Sequence, residues 1–157
     1  MTIRALGGGP DRNRLVDLSG DGRLDAVVGA SRAGKLGELV WYEQPIDPTA
    51  LWIEHSIRTD LIGGGMSLDV ADLDGDGDFD IVVGEHHLDV ASQGTLRTLI
   101  LENADGTGSE WVSHIVHVGD EHHDGTQIVD IDNDGDKDIV SVGWSNSLVL
   151  LYMNGAA

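Results

Sequence analysis

The chain has 157 residues, 40% of them hydrophobic, which allows one domain with a real core or one piece of a larger repeat protein. Its formal charge of −19 makes nucleic acid and anionic membrane surfaces poor direct partners, because both would be repelled. Without cysteine there is no disulfide framework or thiolate metal site, and no window approaches the roughly 18 apolar residues of a membrane span.

The start, MTIRALGGGP, holds no apolar run of signal-peptide length, so an export signal would have been removed or would lie upstream. From there the chain repeats itself. Residues 16–29 read VDLSGDGRLDAVVG, 71–84 read ADLDGDGDFDIVVG, and 129–143 read VDIDNDGDKDIVSVG, with one extra residue before the final glycine. A second marker recurs as WIEHSI at 52–57 and WVSHIV at 111–116, and a third as LVWYEQ at 39–44, LILEN at 99–103 and LLYMN at 150–154. Each unit of about 55 residues thus holds four short apolar runs between turn signals, too short for helices and rich in strand formers. With 22 glycines against 3 prolines, the pattern predicts an all-β chain of four-stranded propeller blades.

Ordered from the aspartate loop outward, the blades run over about 13–57, 67–117 and 126–154 of a single repeat domain, 1–157. The third blade stops one strand short, and TIRAL at 2–6 is the candidate for the missing outer strand. Three blades are too few to close a ring, which takes about four to eight. Three arrangements remain open: a dimer closing a six-bladed ring, a head-to-tail filament, or an excised piece of a longer propeller.

In the second loop carboxylates fall at positions 1, 3, 5 and 9 (Asp72, Asp74, Asp76, Asp80), with Gly77 at the sharp turn and the Asp78 carbonyl at position 7. An oxygen-only cage with glycine at position 6 suits calcium; magnesium demands stricter octahedral geometry and keeps its waters. The third loop offers Asp130, Asp132, Asp134, the Asp136 carbonyl and Asp138, and the first Asp17, Ser19, Asp21, the Arg23 carbonyl and Asp25. Ser19 in place of a carboxylate should weaken the first site. Position 12 is Val28, Val83 or Ser141, not the glutamate of a helix-flanked EF-hand, so the sites are strand–loop–strand. Three bound Ca²⁺ ions, about one per repeat, would offset part of the negative charge.

These loops resemble the FG-GAP/VCBS repeat family of integrin-α-like calcium-binding β-propeller repeats, on the motif D-h-D-x-D-G-x-x-D-h-h-h-G (h apolar) at 72–84, and with departures at 17–29 and 130–143. The resemblance implies an extracellular or cell-surface module for adhesion, carbohydrate binding or self-assembly. It also implies that the calcium loops lie on one face of the disc, with ligands meeting the other. On that topology Glu85-His86-His87 and Glu121-His122-His123-Asp124 should approach each other on the opposite face, near Trp144. Such a cluster suits a glycan or protein ligand, a transition metal, a proton-transfer pair, or plain hydrogen bonding between blades. A non-enzymatic module is the first expectation. The alternatives are the propeller part of a polysaccharide-active enzyme, and a purely structural repeat that stacks into an oligomer.

Overall fold

Short β-branched runs cannot bury one face alone, so each pairs with its sequence neighbour across a tight turn. The structure, a computed structural model, describes residues 9–31, 36–87, 94–144 and 147–155. Among these there are no helices, and so none long and apolar enough to cross a membrane.

Among the described residues, eleven strands form three antiparallel meanders. The first sheet runs β1 (Gly9–Val16), β2 (Asp25–Ser31), β3 (Gly37–Glu43) and β4 (Ile53–Leu61). The second runs β5 (Gly65–Ala71), β6 (Asp80–Glu85), β7 (Arg97–Asn103) and β8 (Trp111–Val118). The third holds β9 (Gly125–Val129), β10 (Asp138–Val142) and β11 (Val149–Tyr152). The first strands of successive sheets neighbour one another, β1 against β5 and β5 against β9, so the sheets stand as consecutive propeller blades around their innermost strands. Asp69 on β5 ties all three together: its carboxylate accepts from Arg14 Nε at 2.7 Å and from Ile128 N at 2.9 Å.

The main core lies between the first two blades. Val27, Leu39 and Trp41 of one sheet meet Leu68, Ile81, Val83, Leu99 and Leu101 of the next, all buried. Sheets approach this closely only where a side chain is missing. A Cβ on Gly29 would stand 2.0 Å from the Gly65 carbonyl oxygen, and one on Gly84 would stand 2.4 Å from the His122 Cβ. These are the glycines that end the VVG runs.

On the third sheet, β11 pairs only with β10 among the described strands, and Val149 and Leu151 are exposed along it. The expected exchanged strand at 2–6 lies outside the described residues.

Candidate metal centre and the opposite face

Each aspartate loop is folded by its own backbone. The turn needs left-handed residues at positions 4 and 6, supplied by Gly20 and Gly22, Gly75 and Gly77, and Asn133 and Gly135. Asparagine tolerates that region better than other side-chain-bearing residues do, which is why the third loop survives without its first glycine. The position-1 carboxylate then caps the turn. Asp17 accepts from the amides of Asp21 and Gly22 at 3.0 and 2.8 Å, and Asp72 from those of Gly75 and Gly77 at 2.7 and 3.2 Å.

Position 9 has a role that sequence reading missed. Asp25, Asp80 and Asp138 are buried, and each joins its loop to the third strand of its sheet. Asp80 accepts from Leu73 N at 3.0 Å with one oxygen and from Asn103 N at 3.0 Å with the other. Asp138 does the same with Ile131 N at 3.0 Å and Asn154 N at 2.8 Å, and Asp25 with Leu18 N at 3.1 Å and Gln44 N at 2.9 Å. The signal was in the sequence: the third apolar run always ends in Gln or Asn, at or just past the end of the strand.

In two loops the carboxylates gather. One oxygen from each of Asp72, Asp74 and Asp80 lies within 4.8 Å of the others, and the same holds for Asp130, Asp132 and Asp138. Such crowding is electrostatically unfavourable without a counter-charge. It shows in Asp78, whose carboxyl is pushed up to about 6, first by burial and then by the charges of Asp76, Asp80 and Asp74. Burial also raises Asp80 and Asp132 above the ordinary carboxylate value. Four buried oxygens around the loops have no hydrogen-bond partner: Ser19 Oγ, Asp78 Oδ1, Asp130 Oδ1 and Asp136 Oδ2. A buried acceptor without a donor costs about 1–3 kcal/mol, and a hard cation satisfies several at once. The donor set therefore fits an oxygen-coordinated divalent ion.

The first loop gathers no such triad among the described residues. Ser19 stands where the third carboxylate would be, and the Arg23 guanidinium is ion-paired with Asp21 while its Nε donates to Gln44 O at 2.8 Å. Asp76 and Asp134, at position 5, accept the amides of Asp78 and Asp136 at 3.1 and 3.0 Å.

At the other end of the strands the two Glu-His-His segments meet. His86 Nδ1 lies 2.6 Å from Glu121 Oε1, whose other oxygen accepts Trp144 N at 2.7 Å. The His86 and His123 rings are 4.3 Å apart, and Trp144, 66% exposed, stands edge-on to His123 at 5.5 Å. His123 Nδ1 is 2.9 Å from Asp124, and His87 lies half-buried next to His86. The N-terminal blade adds Arg12, which donates to His123 O at 3.3 Å, and its ion-pair partner Asp11; neither was singled out from the sequence.

Glu85 and His122 stand apart from this group. Both are fully buried. Glu85 accepts Ile62 N at 2.7 Å and both Arg97 N and Nε at 2.9 Å, bracing the second blade. His122 lies 2.8 Å from Ser141 Oγ through Nδ1 and 3.4 Å from Tyr152 OH through Nε2, and burial lowers its pKa. His86 and Glu121 are buried as well, so the part of this group that reaches solvent is His123, Asp124 and Trp144. His55 and His114, in the repeated outer strands, each pair with a glutamate of the neighbouring strand, Glu43 at 2.9 Å and Glu102 at 2.6 Å.

Residues 17–83, which run from the first aspartate loop through β2–β5 and the second loop into β6, match the family model described as an FG-GAP-like repeat. No curated protein matches the chain.

Proposed function

We propose that this chain, whose residues 17–83 belong to the FG-GAP-like repeat family, works as a non-enzymatic, calcium-stabilised β-propeller module of the cell exterior. The observation that carries this reading is the pair of aspartate triads, each with its oxygens within 4.8 Å, beside buried acceptors that no protein donor satisfies. Two carboxylate cages joined to strand ends make the metal part of the fold: the ion holds the loop, and the loop holds the register of the strands it joins. The first loop, with Ser19 and an arginine-paired Asp21, serves as a weaker third site.

The role of the module is binding or assembly, with glycan or protein as the ligand on the face of His123, Asp124 and Trp144. The His123 imidazole beside an exposed indole offers hydrogen bonds and a stacking plane to a sugar. The burial of Glu85 and His122 in satisfied structural networks speaks against the polysaccharide-active alternative, because it removes two of that site's candidate acids and bases. Self-association is supported by Val149 and Leu151, exposed along β11, a strand that pairs only with β10 among the described residues. Chelation is the decisive experiment. Excess chelator should lower the melting temperature and calcium should restore it more effectively than magnesium; an unchanged melting curve would remove the metal from the account.

A further inference from the structure

Because the blades repeat one template, equivalent positions compare directly. Trp41 on β3 lies opposite Val27, and Ile100 on β7 lies opposite Val82, two residues after the position-9 aspartate in both sheets. On the other side Trp41 faces His55 and Ile100 faces His114. The surroundings repeat as well, down to the imidazole–glutamate pair. The difference is the side chain itself: an indole in the first blade, a sec-butyl group in the second.

In the first blade that indole fills the gap to the next sheet. Trp41 is buried, its ring stacks on His55 with centroids 4.2 Å apart and planes at 12°, and Nε1 donates to Gly108 O at 3.1 Å. In the second blade the same gap is open. A cleft of about 380 Å³ lies between the second and third sheets, walled by Ile100, His114, Val116, Ile139, Tyr152 and Met153. The His114 side chain is 52% exposed against 35% for His55, and among the described residues no ring stacks on it.

We propose that this cleft is a binding slot for a small planar aromatic molecule of about the size of indole, taking the place that Trp41 holds one blade earlier. His114, oriented by Glu102, supplies the stacking face, and Ile100, Ile139 and Met153 supply the apolar wall. The volume is at the low end of the ~300–1,000 Å³ typical of small-molecule sites, room for a bicyclic ring with a short substituent but not for a stretch of peptide. Lys137 and Glu102 at the lining offer both a cation and a carboxylate to a substituent. The cleft also reaches Asp74 and Asp80 of the second aspartate loop, so binding is to be measured at fixed calcium.

The probe is indole, titrated into the full chain in calcium and followed by saturation-transfer NMR and thermal shift. The intact chain should bind it. Ile100→Trp should fill the slot from within, raising the melting temperature by several degrees and weakening indole at least tenfold. His114→Ala, at a side chain 52% exposed, should weaken indole about tenfold without changing calcium binding. No binding at millimolar indole, or an affinity unchanged in His114→Ala, overturns the proposal. So does an Ile100→Trp chain that melts lower than the parent, since a side chain that fits an open slot does not strain the core.

Discussion

Replacing Asp74 by asparagine should change the sign of its effect with the metal. Asp74 belongs to a triad whose oxygens lie within 4.8 Å, and its Oδ1 accepts the amide of Asp76 at 3.1 Å, a bond that asparagine can keep. The substitution therefore removes one charge and little else. In calcium at a hundred times the dissociation constant, each occupied site stabilises the folded state by about 2.7 kcal/mol. Two intact triads give about 5 kcal/mol, and at about 2–4 °C per kcal/mol for a chain of this size, chelation should lower the melting temperature by about 10–20 °C. Asp74→Asn should forfeit about half of that shift. Burial is the main reason the Asp78 carboxyl is raised, but Asp74 is one of the charges that add to it. In chelator the same substitution removes that charge from the loop, so the variant should melt at or slightly above the parent. Circular dichroism melts of both proteins, with calcium and with chelator, complete the cycle. If Asp74→Asn destabilises equally in the two conditions, the carboxylate is a structural hydrogen-bond group, and the cation reading of the second loop is wrong.

Three further outcomes are expected. Asp76→Ala or Asp134→Ala should cost more stability in calcium than Asp21→Ala, because Ser19 and Arg23 have already weakened the first loop; a thermal-melt ranking with Asp21→Ala as the most damaging would reverse the assignment of strong and weak sites. His122 is held below its ordinary value of about 6.5 mainly by burial, so the folded state keeps it neutral where the unfolded chain takes a proton. Its stabilising contribution is complete above about pH 6.5 and is lost as the pH falls below that value; His122→Gln should flatten the dependence of melting temperature on pH between 7.5 and 5.5, and an equally steep variant would assign the acid lability to another group. Sedimentation in calcium should find a two-chain particle if Thr2–Leu6 of one copy pairs beside β11 of the next, and deletion of residues 1–6 should release monomers or aggregates; a soluble monomer of the intact chain at high concentration would refute the exchange.

The sequence alone determined the strands and the loops, because both are written locally and three times over. Aspartates at 1, 5 and 9 with glycine at 6 can only serve a tight oxygen-lined turn, and apolar runs of four to seven residues between such turns can only be strands. It also placed His86, Glu121, His123 and Trp144 on one face, since alternating strand direction sends equivalent connections to the same end. What it left open depends on partners distant in the chain. Asp25, Asp80 and Asp138 read as ligands, yet each also braces its loop to the end of a strand some twenty residues further on; the recurring Gln or Asn marks the place, but only the folded sheet brings its backbone amide to the carboxylate. Glu85 and His122 look no different in sequence from His87, His123 and Asp124, which are only partly buried or exposed. Only the packing of one blade on the next decides that they are buried, when Gly84 lets His122 close in on β6. The same contact between blades makes Trp41 a core residue and leaves its counterpart at Ile100 beside an open cleft: the repeat sets the position, and the neighbouring sheet decides whether it is filled.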